Sequence, residues 1–175
     1  GSLQLAVERA VQAGRGTLFL AAGSYTVSTP VGLPAGLTIS GGFDPENWST
    51  SDSRTTITPT EELVRGGGLQ ISGGTVRLER VRLALPASGG KAATDAGAPL
   101  FRISGGTLAL SSVEISGGNR PGAVIEGNDG GRLELSQVTA NSLATLIRGT
   151  DAVTVSVRNS SLRGGTVSGR EAALF

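Results

Sequence analysis

The chain contains 175 residues, carries a formal net charge of +1, and has no Cys, Met or His. That length accommodates one domain with a sizeable core, and the composition excludes disulfides, thiol nucleophiles, Cys/His zinc sites and histidine-based triads. The near-neutral charge and the scattered arginines exclude a nucleic-acid footprint, and no apolar stretch approaches the roughly 20 residues of a membrane span.

The first predicted element is an amphipathic helix over residues 3–14, LQLAVERAVQAG. Its apolar residues recur at helical spacing: they are Leu3, Ala6, Val7, Ala10 and Val11. Gly14 then supplies a stop signal. A stack of strands exposes an apolar end and an unpaired edge at its first layer, so we expect this helix to cap that end.

Residues 41–55, GGFDPENWSTSDSRT, form the first candidate site. They gather three acids and the single tryptophan: Asp44, Glu46, Asp52 and Trp48. Oxygen ligands of this kind suit Ca²⁺, and the Trp suits a sugar platform. In the alternative interpretation, which we favour, Phe43 and Trp48 fold back over the side of the early strands. Beyond this option for Ca²⁺, which nothing else indicates, the sequence predicts no metal site and no cofactor.

An internal repeat occupies most of the remaining chain. Four copies share the same apolar positions: ISGGTVRLERVRL (71–83), ISGGTLALSSVEI (103–115), GGRLELSQVTA (130–140) and, more loosely, AVTVSVRNSSL (152–162). Leu108 and Leu110 are predicted to face inward on one strand. The chain then bends at residues 111–112, and Val113 and Ile115 face inward on the next strand. The repeated letters are therefore the buried ones.

A shorter apolar element precedes each later copy: LFRIS (100–104), AVIEG (123–127) and TLIRG (145–149). Before the first copy, either LVRGG (63–67) or LQIS (69–72) fills this position. Such units bury a continuous apolar face only when they stack. We predict an all-β parallel solenoid, ahead of a leucine-rich repeat, which requires Asn where this chain has Val and a helix on its convex side.

The segments GTLFLAAGSYTV (16–27) and GLTISGGFDPENW (36–48) stand between the helix and the Gly-rich repeats. In this order they resemble the start of a pectin lyase-like right-handed parallel β-helix, in which a helix caps the first coil. The resemblance is to bacterial surface or secreted β-helix proteins and covers nearly the whole chain. It implies a single right-handed domain over residues 1–175, with coils from residue 16 onward and an extracellular or cell-surface location.

Enzymes that resemble pectate lyases hold Ca²⁺ with several outward acids and use an Arg as base, and polygalacturonase-like relatives use clustered Asp. Two-carboxylate chemistry requires groups about 5–9.5 Å apart, which means matching positions on neighbouring repeats. The outward residues of the repeat strands form two rows without such a pair: Arg77, Ala109, Glu134, Ser156 and Arg82, Glu114, Thr139, Ser161. We therefore predict no catalytic residue and favour a non-catalytic role.

The second candidate site is an outward row on the shorter elements. Glu126 and Arg148 occupy matching positions, Arg102 is expected to join them, and Arg65 is a further candidate. In a functional interpretation this strip contacts carboxylate or sulfate sugars through bidentate arginine hydrogen bonds. In the structural interpretation, which we favour, it is a surface ladder of ion pairs worth about 0–1 kcal/mol per pair.

Two further segments carry expectations. The Ala/Gly/Ser-rich insertion at 84–99 contains only Lys91 and Asp95 as charges, and we expect a mobile contact loop because loops on rigid scaffolds carry binding. REAALF (170–175) is expected to begin the counterpart of TLIRG and to stop mid-coil because the chain is part of a longer protein. An open strand edge there predicts end-to-end self-association.

These features together predict a non-catalytic module of a bacterial surface or secreted protein, acting as an adhesive, carbohydrate-contacting element or as a stalk. The expected partner is a polysaccharide or a cell-surface glycan, with no nucleic acid and no membrane span. The first alternative is a fragment of a polysaccharide lyase or glycoside hydrolase whose catalytic coils lie beyond residue 175. The second is a structural spacer in an extracellular assembly.

Overall fold

The computed structural model describes residues 3–86, 99–117, 123–141, 145–149, 153–163 and 166–168. Within these residues, eighteen strands form three six-stranded sheets, and every pairing between named strands is parallel. The insertion residues Lys91 and Asp95 and the terminal segment 170–175 lie outside the described residues, so the expected contact loop and the expected open strand edge stay predictions.

The chain visits the three sheets in rotation. The first sheet contains, in spatial order, β1 (Thr17–Ala21), β4 (Thr38–Phe43), β7 (Thr75–Glu79), β10 (Thr107–Ser111), β13 (Arg132–Ser136) and β16 (Thr154–Arg158). The second contains β2 (Gly23–Val27), β5 (Thr55–Pro59), β8 (Val81–Leu85), β11 (Glu114–Gly117), β14 (Thr139–Asn141) and β17 (Ser161–Leu162). The third contains β3 (Val31–Gly32), β6 (Leu69–Ile71), β9 (Phe101–Ser104), β12 (Ala123–Asn128), β15 (Thr145–Gly149) and β18 (Thr166–Ser168).

Three consecutive strands, one from each sheet, are called a coil below. Because each strand pairs with the strand three positions later in the chain, the fold is mostly β and consistent with the predicted parallel β-solenoid. The register also confirms the repeat alignment, since Leu108 pairs with Val76 on one side and with Leu133 on the other. Leu133 in turn pairs with Val155.

The inward face of the repeat is the core. Leu108, Leu110, Val113 and Ile115 are all at most 1% exposed, as the alternation of apolar letters predicted. They belong to one apolar cluster that runs through all the coils. Burial of each such aliphatic side chain contributes roughly 1.5–3 kcal/mol relative to exposure, so stacking of equivalent residues stabilises the fold.

The corner between the first and second sheets uses one left-handed residue in each of the later coils. These residues are Arg80, Ser112, Gln137 and Asn159, with φ between 48° and 55°. The backbone N–H groups of Arg80, Ser112 and Gln137 continue the coil-to-coil ladder through the bend, as Ser112 N donates to Ser136 O at 3.0 Å. The predicted bend at residues 111–112 is confirmed, and the structure adds its unusual backbone conformation.

The N-terminal helix α1 (Leu3–Gln12) packs over the first coil and contacts β1 and β2. Leu3, Val7 and Ala10 are its buried residues, and Gly14 leaves the helix with φ +63°. The structure therefore contains a helix in the predicted segment, and it ends two residues before Gly14. The prediction that Val11 belongs to its inward face is wrong, because Val11 falls at the edge of the Leu3–Val7–Ala10 stripe and is 51% exposed.

The structure decides which segments form the third-sheet strands of two coils. In the second coil, LQIS supplies the third-sheet strand β6, whereas the first three residues of LVRGG complete a short helix, α2 (Glu61–Arg65). In the last coil, the strand that pairs with β15 is β18, at Thr166–Ser168. The prediction that REAALF begins the counterpart of TLIRG is therefore wrong, because that position is already taken by residues 166–168.

Candidate binding surface on the third sheet

The third sheet carries a polar row on its outward face. Gln70 pairs with Arg102, Arg102 with Glu126, and Glu126 with Arg148, each in the backbone register of adjacent coils. The row faces outward because its sequence neighbours face the core, as Phe101 and Ile103 show with 0% exposure. Arg102, Glu126 and Arg148 are called the Arg–Glu–Arg row below.

Arg65 does not belong to this row. It lies on α2 and pairs with Glu61, one helical turn earlier, at 3.2 Å. The local sequence explains the helix, because Thr60 caps it by accepting a hydrogen bond from Leu63 N and two acids occupy its first turn. Gln70 fills the position in the second coil that Arg65 was predicted to fill.

The side chains of the Arg–Glu–Arg row are not in ion-pair contact with one another. All three side chains are half-buried, and their strands lie about 4.8 Å apart. Among the residues that the structure describes, no ion pair joins Glu126 to Arg102 or to Arg148. The favoured interpretation as an ion-pair ladder is therefore wrong for this row.

Gly67 lies near Gln70 and Arg102, at the end of the row that is earliest in the chain. Gly67 has φ +103°, and a Cβ built on it would lie 3.2 Å from Gln70 Nε2 and 3.8 Å from Arg102 Nη1. Only a glycine meets both the left-handed conformation and this spacing without strain. A side chain at residue 67 would therefore crowd the Gln70 amide.

The other candidate segment, residues 43–54, is a hydrogen-bonded hairpin between β4 and β5. Phe43 bridges to Thr50 in antiparallel fashion, and Asp44 N donates to Ser49 O at 2.9 Å. Asp44 Oδ1 accepts hydrogen bonds from the backbone N–H groups of Glu46 and Asn47 at 2.8 and 3.2 Å. The Asp44 carboxylate therefore shapes the turn.

The aromatic residues of this hairpin separate. Phe43 packs on Phe19 with ring centroids 4.8 Å apart, and the Arg80 guanidinium lies 4.7 Å from the centre of the Phe43 ring. Trp48 is 54% exposed and has φ 56°. The expectation that Phe43 covers the side of an early coil agrees with this packing, but the same expectation for Trp48 is wrong, because more than half of its surface is exposed.

The acids of the hairpin do not assemble into a metal site in the described part of the chain, where no three Asp or Glu side chains come together. Glu46 and Asp52 are exposed. The hairpin links the first sheet to the second, whereas the Arg–Glu–Arg row lies on the third. The seven predicted site residues thus occupy two separate surfaces.

Sequence reasoning missed an ion cluster on the second sheet. Glu114 pairs with Arg54 at 3.0 Å and with Arg82 at 3.5 Å. Arg82 and Glu114 are in register, and the sequence had already placed them in one row. Arg54 comes from the hairpin sixty positions earlier, and no local pattern signals that contact. These three residues are called the Glu114 cluster below.

The register confirms both outward rows of the repeat strands. Ala109 pairs with Arg77 and Glu134, and Glu114 pairs with Arg82 and Thr139. Across the described strands of these two rows, no carboxylate is followed by a second one on the next coil.

The fold and this surface define a protein of stacked parallel β-strands with polar outward rows. No helix in the described segments is long and apolar enough to cross a membrane. No protein-family model, curated protein or solved structure matches the chain.

Proposed function

We propose that this chain is a non-catalytic module of a bacterial cell-surface or secreted protein, built as a right-handed parallel β-helix, and that it contacts acidic carbohydrate through the Arg–Glu–Arg row. The rotation of the chain through three parallel sheets supports the β-helix. The right hand is supported by the general preference of crossover connections between parallel strands, which take it in about 98% of cases.

The observation that carries the binding role is the open state of the row. Arg102 and Arg148 lie on either side of Glu126 in register, and within the described residues none of the three is engaged in an ion pair. Their guanidinium donors are therefore available to a ligand. A planar guanidinium binds a carboxylate or sulfate through two parallel hydrogen bonds, which gives both affinity and orientation.

The two residues that flank Glu126 on the neighbouring coils support the non-catalytic role. The matching positions on the neighbouring coils hold Arg102 and Arg148. Hydrolysis by the usual route needs a second carboxylate on the opposite side of the scissile bond. A single carboxylate between two arginines instead offers one strong acceptor and two strong donor groups, which suits recognition of a sugar chain.

A glycan array probed with the wild-type chain tests this function. We expect retention of acidic glycans, and we expect the double variant Arg102→Ala/Arg148→Ala to lose about tenfold or more in affinity, since a hydrogen bond to a charged group is worth roughly 1.5–3 kcal/mol. The matched control Arg15→Ala/Arg77→Ala removes the same charge from exposed positions outside the row and should bind like the wild type. Absence of any glycan ligand, or equal loss in both double variants, would contradict the proposal and favour a spacer.

A further inference from the structure

We infer that the Arg–Glu–Arg row selects a linear glycan in which acidic sugars alternate with uncharged sugars. This inference rests on the proposed carbohydrate-binding function and names the substrate class of that surface. It derives from the order of charges along the sheet, which is cation, anion, cation on three successive coils.

The repeat distance of the sheet sets the scale of the ligand. Adjacent strands lie about 4.8 Å apart, so Arg102 and Arg148, two coils apart, stand on the order of 10 Å from each other along the stack. A pyranose unit in an extended glycan advances the chain by nearly the same distance as one strand spacing. A glycan that runs across the strands therefore places one sugar against each coil, and the two arginines meet sugars that are two units apart.

The charge of the middle coil determines which sugar it accepts. Glu126 accepts hydrogen bonds from a hydroxyl or an acetamido N–H of an uncharged sugar. An acidic sugar at the same place brings a second negative charge well within the ~8 Å over which charges interact at physiological ionic strength. Arg102 and Arg148 lie within the same range, one strand spacing away on either side, but a carboxylate opposite Glu126 is nearest to a like charge, so this coil favours an uncharged sugar that donates a hydrogen bond.

The coil before Arg102 continues the alternation. Its outward residue is Gln70, in register with Arg102. The Gln70 amide is uncharged and offers both a donor and an acceptor to sugar hydroxyls. Four successive coils thus present a pattern suited to an uncharged, an acidic, an uncharged and an acidic sugar.

Calorimetric titration with three oligosaccharides of equal length tests the selection. Hyaluronan oligosaccharide alternates acidic and uncharged sugars, oligogalacturonate is acidic at every sugar, and N-acetylated chito-oligosaccharide is uncharged. We expect the wild-type chain to prefer hyaluronan over oligogalacturonate by about threefold or more, the size of an exposed charge interaction. The chito-oligosaccharide should bind most weakly because it lacks partners for the arginines.

The variant Glu126→Gln separates selection from binding. It should strengthen oligogalacturonate binding and bring the two acidic oligosaccharides to nearly equal affinity. The matched control Glu79→Gln removes an acid from the outward face of the first sheet and should preserve the wild-type preference. Glu126 is outside every described ion pair, so the conservative variant should fold, and thermal unfolding checks this.

The outcomes distinguish failure of the inference from failure of the function. If oligogalacturonate binds the wild type as tightly as hyaluronan, or if Glu126→Gln leaves the preference unchanged, alternation is overturned while acidic-glycan binding stands. If poly-aspartate peptide competes as well as hyaluronan, the row recognises charge alone and the inference is also overturned. If no acidic glycan binds, the proposed function fails and the inference fails with it.

Discussion

Two outward rows of this protein carry arginine and glutamate at matching positions of neighbouring coils, yet they differ in pairing. On the second sheet, Glu114 is paired with both Arg82 and Arg54. On the third, Glu126 stands between two arginines, and the described ion pairs include neither of them. Register alone therefore does not decide whether charges pair, and a side chain supplied by a distant hairpin completes one of the two clusters.

The difference assigns the two surfaces different roles. In the Glu114 cluster the carboxylate is in contact with both arginines, and these exposed pairs contribute little to stability. The Arg–Glu–Arg row leaves its donors and acceptor to solvent or to a ligand. The three predictions below test how far each row depends on the backbone beneath it and on its own charges.

The largest effect is expected for Gly68→Ala, which acts beneath the third-sheet row. Gly68 has φ +69°, and a Cβ there would meet the carbonyl oxygens of Leu100 and Pro99, the latter at 2.6 Å. Those residues lead directly into β9, which carries Arg102. We expect unfolding in urea to show a loss of roughly 1–3 kcal/mol from overpacking and about 1–2 kcal/mol more from the left-handed backbone.

Gly73→Ala is the matched control for that substitution. A Cβ at Gly73 meets no atom within 4 Å and its φ lies outside the left-handed region, so its free energy of unfolding should change little. Equal losses at Gly68 and Gly73 would contradict the placement of β9 against β6. The placement of Arg102 beside Gln70 in the third-sheet row would then lose its support.

A smaller effect is expected at the corner that leads into the Glu114 cluster. Ser112→Val places a β-branched residue at φ 53° and should cost about 1–2 kcal/mol in unfolding free energy. Ser111→Val, one residue earlier in strand β10, should cost less because β-branched residues fit extended backbone. If Ser111→Val and Ser112→Val lower the free energy of unfolding equally, the left-handed conformation of Ser112 is not what orients β11.

Ser112→Asn is a second control at the same corner. Asn tolerates the left-handed region better than Val does, so it should recover most of the stability lost in Ser112→Val. This variant also separates backbone strain from loss of the Ser112 Oγ hydrogen bond to Gln137 Oε1, which measures 2.9 Å. No recovery with Asn would assign the loss to that hydrogen bond.

The smallest effect concerns the charges themselves. Glu114→Gln should lower the free energy of unfolding by up to about 1 kcal/mol, and the loss should shrink as salt is added, because the pairs are exposed and screened. Glu126→Gln should change stability less, since Glu126 has no ion-pair partner to lose among the described residues. Unfolding at low and high salt measures both, and an equal, salt-dependent loss would show that the two rows are paired alike in solution.

Much of the fold was predictable because the repeat places the same apolar residues on the same face. The alternation of Leu108 and Leu110 identified the inward side of one strand, and the copies identified the residues that stack on them. The same logic places Arg102, Glu126 and Arg148 in one row from their positions within the repeat. Side-chain alternation and coil register are local, periodic properties, so a single chain displays them several times.

Features without a repeat could not be predicted in this way. LVRGG and LQIS are both apolar, and only the pairing of β6 with β9 selects the second as the strand. Trp48 was expected to pack like Phe43, but Phe43 packs on Phe19 whereas Trp48 is exposed and lies in a left-handed turn. The contact of Arg54 with Glu114 joins residues sixty positions apart, and no periodic pattern connects them.

The sequence by itself determined that short strands would stack, which of their side chains would be buried, and which charged residues would share a row. Periodic burial of apolar surface is sufficient for these decisions, because a one-residue slip would turn the buried face to solvent. Only the tertiary structure decided which charges pair and which stay open. Ion pairing depends on how far each side chain reaches towards the next coil. It also depends on Arg54, which the hairpin at residues 43–54 brings to Glu114. Neither property is encoded in the spacing of one repeat.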